Sequence, residues 1–214
     1  LTEAFTAIGK QFEKRYKGTD VTFNFDASSA LVLQIRGGAP VDVFASADEA
    51  KMETLVAAGE VTAKPVDFAE NKLEIAVKPG NPQQVRTLAD LVNVGIVSLC
   101  APEVPCGKYA DAALGAARVT IPPDKITRGT NAKVTLTAVS AGDADAAVVY
   151  VTDVKAAGSS VTGVRIRSSQ NQIALYPIAP LASAANPTTA KAFAKYVASP
   201  AGEKILGKYG FLPA

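Results

Sequence analysis

Apolar residues Leu1, Phe5, Ile8, Phe12 and Tyr16 recur at steps of three and four, which predicts a helix with one buried face that closes at Gly18. The period then changes. Val21, Phe23 and Phe25 alternate with Thr22 and Asn24, the two-residue repeat of a half-buried strand. Asp26-Ala27-Ser28-Ser29 turns the chain into a second helix over about residues 30–36, stopped by Gly37-Gly38. Val41-Asp42-Val43-Phe44 reads as a short strand, and Ser46 or Asp48 caps a helix that ends at Gly59. The first third of the chain therefore alternates helix and strand, the pattern of an α/β layered structure.

The alternation resumes after a long strand over residues 72–78 (KLEIAVK), closed by Pro79-Gly80. Thr87 caps a short helix to Leu91, residues 95–99 form an apolar strand, and Cys106-Gly107 opens a helix to about Ala117. Asn131 caps a further helix to Ala141. Residues 144–151 (ADAAVVYV) are almost continuously apolar, as expected of a strand covered on both faces. Thr152 is expected to cap a short helix, followed by a strand at residues 164–166. Residues 173–181 (IALYPIAPL) are extended, with prolines that suit an edge or crossing segment. Asn186-Pro187 and Ser199-Pro200 start two terminal helices.

No repeat, low-complexity stretch or flexible linker interrupts this pattern, so two lobes would be joined by ordered strands. The expected division places residues 1–76 and 177–214 in a first lobe holding both chain ends. Residues 77–176 form an inserted second lobe, with crossing strands near 72–79 and 172–181.

Composition narrows the function. With 214 residues the chain can bury a sizeable core, and its 48% hydrophobic and 20% charged residues are those of a globular protein. A net charge of +2, with Lys and Arg scattered, argues against a nucleic-acid partner. No apolar run reaches membrane-spanning length. There is no His, which removes the commonest general base and metal ligand. The acidic residues form no paired-carboxylate motif, and Pro105-Cys106-Gly107-Lys108 lacks the spacing of a phosphate loop. These absences favour a binding protein over an enzyme, with no cofactor and no directly bound metal.

Three turns place small or hydroxyl residues at a helix start just after a strand: Ala27-Ser28-Ser29, Pro105-Cys106-Gly107 and Gly129-Thr130-Asn131-Ala132. A helix N-terminus carries about +0.5 elementary charge and backbone N–H groups without intrahelical acceptors, so it attracts anions. Charge-assisted hydrogen bonds contribute roughly 1.5–3 kcal/mol each. Half a dozen exceed the ~8 kcal/mol that micromolar binding requires, even after ordering and desolvation costs. The same turns also fit ordinary helix caps, and spacing alone does not separate the two roles. Nor does it separate a core tyrosine from a ligand at Tyr150, or an N-cap from a ligand at Ser28.

The segments Leu1-Thr2-Glu3-Ala4-Phe5, Phe25-Asp26-Ala27-Ser28-Ser29, GAPVDVFASAD at residues 38–48, PCGKYA at 105–110, Ala147-Val148-Val149-Tyr150 and Tyr209-Gly210-Phe211 occur in order along the chain. In this the sequence resembles the periplasmic molybdate-binding proteins (the ModA family). The resemblance implies a type II periplasmic-binding-protein fold: two lobes, each a mixed sheet flanked by helices, with the ligand in the cleft between them. It implies an exported, monomeric receptor at the periplasm or the outer face of the membrane, with or without a lipid anchor. Such a receptor delivers molybdate or tungstate to the membrane permease of an ABC importer; another oxyanion such as sulfate is the alternative. Carried over by position, Ser28 supplies its hydroxyl and amide, Cys106 and Ala132 their amides, and Tyr150 its phenolic O–H. Ser29, Asn131 and Gly107 form a second rank. The family also has a strand and a ligand Ser just ahead of the position of Leu1. Asp26 sits uncomfortably beside an anion site, and its side chain is expected to point away. Lys108 and Arg128 lie near the site and are expected to be solvated.

Cys100 ends a strand and Cys106 starts a helix. In an exported protein a disulfide is expected between them, worth about 2 kcal/mol for so short a loop and fixing the turn that presents the Cys106 amide. The rival is a thiol nucleophile at a helix N-terminus, Cys106, for which no His is present as a base.

Overall fold

The computed structural model describes residues 1–214. In chain order it contains α1 (Thr2–Arg15), α2 (Ser28–Arg36), β1 (Val43–Ala45), α3 (Glu49–Ala57), β2 (Val66–Val77), β3 (Val97–Cys100), α4 (Pro105–Ala117) and β4 (Ile126–Gly129). There follow α5 (Ala132–Ala141), β5 (Ala146–Tyr150), α6 (Val151–Ala157), β6 (Thr162–Arg165), β7 (Ile173–Pro180), α7 (Pro187–Val197) and α8 (Pro200–Lys208). A short 3-10 turn at Leu88–Asn93 precedes β3, closed by Thr87 and Asp90 acting as a capping box. The chain divides into two compact units: unit 1 is Leu1–Glu70 with Leu175–Ala214, and unit 2 is Asn71–Ala174. β2 and β7 run from one unit into the other.

Unit 1 is held by aromatic packing. Phe5 and Phe12, one face of α1, meet Phe193 of α7 at centroid distances of 6.4 and 5.1 Å. Phe5 also meets Phe68 at 5.5 Å, and Phe68 leads through Tyr176 to Phe211 near the C-terminus. Edge-on contacts of this kind add to the area buried by each ring. A second cluster joins α2, α3 and the end of β7: Val32, Ile35, Phe44, Met52, Leu55, Ala179 and Leu181. β1 pairs antiparallel with β7, Phe44 opposite Ala179. The Asp48 carboxylate caps α3 by accepting from Lys51 N at 2.9 Å.

Residues 21–25, expected as a strand, join no ladder. Phe23 instead stacks on Phe25 at 5.2 Å and meets Phe5 edge-on at 6.2 Å. Alternation records which side chains face inward; it does not supply a neighbouring strand to bond with.

Unit 2 is a sheet in the order β6-β2-β5-β3-β4. β2 pairs antiparallel with both β6 and β5, whereas β5, β3 and β4 are parallel to one another. β5 is buried at every position, as its apolar run predicts. On one face Ala147 and Val149 pack with Ala76, Leu136, Val139, Val154 and Val161. At the N-terminal end of β5, the Asp145 carboxylate accepts from Lys78 Nζ at 2.8 Å and from Ile96 N at 2.9 Å, joining β2, β5 and the entry to β3. These two donors hold its carboxyl below the usual carboxylate range, the Lys78 bond being the larger cause.

Candidate functional site

Parallel strands put their C-terminal ends on one edge, and here β3, β4 and β5 end at Cys100, Gly129 and Tyr150. Cys100 and Gly129 are direct partners in the ladder. α4, α5 and α6 all begin within a few residues of that edge. In open α/β sheets this is where ligands bind, because strand ends and helix starts present backbone donors together. Three expected residues of unit 2 thus stand along the same edge: Cys106 in the first turn of α4, Ala132 as the first residue of α5, and Tyr150 as the N-cap of α6.

Each helix start has a local cause. Pro105 occupies the first position of α4, where its fixed φ suits a helix and its missing N–H costs nothing. The first amide that α4 can present is therefore that of Cys106, which is buried, with 3% exposure. Gly107 follows because its backbone lies against the turn before it: a Cβ there would overlap the Ala101 carbonyl. In α5 the Asn131 side chain accepts from Val134 N at 2.9 Å. That bond covers the third amide of the helix and leaves the Ala132 amide at its mouth. Gly129 is equally constrained, since a Cβ would run into the Thr135 hydroxyl.

Thr152 was expected to cap α6, but the cap falls at Tyr150, whose N–H donates to Asp153 Oδ2 at 3.1 Å. Asp153 three residues on supplies the returning acceptor, and a third-position acid fixes a helix start more strongly than a lone hydroxyl inside it. Thr152 instead accepts from Asn71 Nδ2 at 2.9 Å, within the buried interior. Tyr150 is itself 5% exposed, so its ring is part of the core as well as a candidate ligand.

Ser28 and Ser29 stand in unit 1 at the start of α2. Ser28 is not an N-cap: Ala27 takes that position and no side chain caps the helix. The buried Ser28 hydroxyl accepts from Ala47 N at 2.9 Å. That pairing brings the turn after β1 to the start of α2, and sequence spacing gave no sign of Ala47. Ser29, beside it, is half-buried. The Asp26 carboxylate accepts from Ala27 N at 2.7 Å and is thereby folded onto its own turn.

Cys100 and Cys106 form a disulfide with a Cα–Cα distance of 5.7 Å, and no cysteine is free. A bonded Cys106 has no thiolate to offer, which removes the nucleophile that a thiol mechanism requires. The bridge is buried: Thr135 Oγ1 lies 3.3 Å from Cys100 Sγ, and Cys106 Sγ lies 3.8 Å from the Val148 carbonyl. Lys108 is exposed, as expected. Arg128 is not merely solvated, because its Nη1 donates to the Cys100 carbonyl at 2.8 Å. No cluster of three or more His, Cys, Asp or Glu residues that could hold a metal ion is present. No helix is long and apolar enough to cross a membrane.

An α/β chain whose parallel strands end together at helix starts has the layout of a ligand-binding protein. The family described as bacterial extracellular solute-binding protein matches residues 1–212. The molybdate-binding protein ModA of Mycobacterium tuberculosis is 37% identical over 212 residues, covering 99% of this chain and 80% of that protein. The periplasmic molybdate-binding protein of Azotobacter vinelandii superposes with a TM-score of 0.86 at 20% identity, covering 100% of this chain and 95% of the other. The sulfate-binding protein of M. tuberculosis gives a TM-score of 0.87 at 20% identity, covering 99% and 83%; these two likenesses establish the fold. The chain belongs to the ModA family of bacterial extracellular solute-binding proteins. That family consists of receptors rather than enzymes, and it is extracytoplasmic.

Proposed function

We propose that this protein captures molybdate or tungstate as the intact dianion and hands it to the permease of an ABC importer. The observation that carries the proposal is the edge of unit 2, where β3, β4 and β5 end together and the Cys106 and Ala132 amides open their helices. The proposed ligands are these amides and the Tyr150 hydroxyl in unit 2, and the hydroxyl and amide of Ser28 in unit 1. The two units act as the two lobes of the receptor, and the protein works as a monomer, with or without a lipid anchor.

Such a site selects by protonation and size. Donors alone line it, so an O–H on the ligand would face another donor and cost a hydrogen bond. Phosphate is partly protonated at neutral pH and is disfavoured. Sulfate is a dianion and is excluded only by being smaller than molybdate.

A thermal-shift panel of molybdate, tungstate, sulfate and phosphate tests the proposal. A ligand at about 1,000 times its Kd adds about 4 kcal/mol to the folded state. For a chain of this size that raises Tm by roughly 8–16 °C. Large shifts with molybdate and tungstate are expected. A large shift with sulfate and none with either metal oxyanion would overturn the assignment.

A further inference from the structure

The proposed Cys106 amide is only as well placed as the turn that carries it, which the Cys100–Cys106 bridge closes on itself without tying it to β4. Between Cys100 and Cys106 the hydrogen bonds are local: Val104 N donates to the Ala101 carbonyl at 3.2 Å, and Gly107 N and Lys108 N donate to the Val104 carbonyl at 3.0 and 3.2 Å. Two further hydrogen bonds tie the turn to the end of β4. The Gly129 carbonyl accepts from Ala101 N at 2.8 Å, and Arg128 Nη1 donates to the Cys100 carbonyl at 2.8 Å. The same Nη1 lies 3.5 Å from Asp111 Oδ1, in the second turn of α4. One guanidinium therefore holds the chain at two points, six residues before Cys106 and five residues after it.

The geometry points to Arg128 as a positioning residue for oxyanion capture: it sets where the first turn of α4, and with it the Cys106 amide, stands relative to β4 and the start of α5. This rests on the anion-binding reading of that turn. The Asp111 contact is partly solvated and contributes little by itself. Its part is to orient the planar fork so that an N–H aims at the Cys100 carbonyl. Arg128 is not a ligand in this scheme. Its formal charge matters less than its shape, which separates the proposal from a simple electrostatic pull on an incoming anion.

The test uses Arg128→Lys, Arg128→Gln and, as a milder change in case either of these folds poorly, Asp111→Asn. Two measurements are made: amide hydrogen exchange across residues 101–108 without ligand, and titration calorimetry with molybdate at low and high salt. Both Arg128 variants are expected to exchange faster at Ala101, Val104 and Gly107 and to bind molybdate about 10-fold more weakly (about 1.4 kcal/mol), with Asp111→Asn in between. Lysine keeps the charge but lacks the fork, so it should not rescue. Wild-type affinity in Arg128→Lys with a salt-dependent loss in Arg128→Gln would overturn the proposal in favour of long-range charge. Unchanged exchange in all three variants would overturn it outright. If the wild type bound no oxyanion at all, the proposed function would fall, while the exchange measurement would still decide whether Arg128 positions the turn.

Discussion

Reduction of the Cys100–Cys106 bridge should lower stability by an amount set almost wholly by the unfolded chain. The cysteines are six positions apart, so the closed loop is short. Loop-closure entropy for such a loop corresponds to about 2.4 kcal/mol at 25 °C. Comparing one protein in its oxidised and reduced forms removes no atoms and leaves no cavity, so no packing loss is added. The one proton of Thr135 Oγ1 goes to the Asn131 carbonyl at 2.9 Å, so that hydrogen bond does not depend on the bridge. Because Cys100 and Cys106 are 0% and 3% exposed, a reductant should not reach the sulfurs until the chain opens. The assay is therefore equilibrium urea denaturation with and without excess dithiol, incubated until the unfolded population is fully reduced. At a typical urea slope of about 2–3 kcal/mol/M, the midpoint should fall by roughly 1 M with little change in slope. The unfolding entropy of about 2.1 cal/mol/K per residue converts the same loss into a Tm drop of about 5 °C if the whole chain melts together. If unit 2 melts alone, the drop should be about twice that. A loss under about 0.5 kcal/mol would refute the reasoning, because the turn would then be equally restricted without the bond.

Other perturbations address particular groups. Tyr150→Phe should weaken molybdate binding about 10-fold in calorimetry by removing one hydroxyl donor, while Tm without ligand changes little because the buried ring remains. Gly107→Ala should destabilise the protein by about 2 kcal/mol or more and abolish tight binding, since the added Cβ overlaps the Ala101 carbonyl; circular-dichroism melts and calorimetry would show both. Asp145→Asn should cost about 1–2 kcal/mol in urea denaturation by weakening the bonds from Lys78 and Ile96. With the Asp145 carboxyl held below its usual range, its contribution is fully present above pH ~4 and is lost as pH falls through the lowered value. The acid limb of the wild-type stability profile should therefore be steeper than that of Asp145→Asn.

The hydrophobic pattern carried much of the architecture. The heptad-like spacing of Leu1 to Tyr16 and the apolar run ending at Tyr150 became α1 and β5 because each period matches one element's geometry. β4 was legible only as an unbounded strand ahead of the Gly129 turn: Ile126-Thr127-Arg128-Gly129 has one large apolar side chain and follows two prolines, so nothing in it alternates. It is a strand because β3 lies beside it and bonds to it. The reverse holds at residues 21–25, where alternation is present and a partner strand is not. At the candidate site, small and hydroxyl residues marked the helix starts, but their convergence on one edge follows from strand order, which no local spacing encodes. The pairing of Ser28 with Ala47 and the reach of Arg128 to Cys100 are contacts between segments far apart in sequence, and neither left a local trace.

The division of the chain also has a consequence for how it is made. Unit 2 is one uninterrupted stretch, Asn71–Ala174, whereas unit 1 is split between the two ends. A ribosome releases residues 1–70 ahead of unit 2, yet their aromatic core lacks Tyr176, Phe193 and Phe211, and their aliphatic cluster lacks Ala179 and Leu181. Of the two units, the one begun earlier is therefore the later to finish folding. As the chain emerges, unit 2 can close on itself while α1 waits, with Phe5, Ile8 and Phe12 still uncovered, for Leu175–Ala214 to arrive.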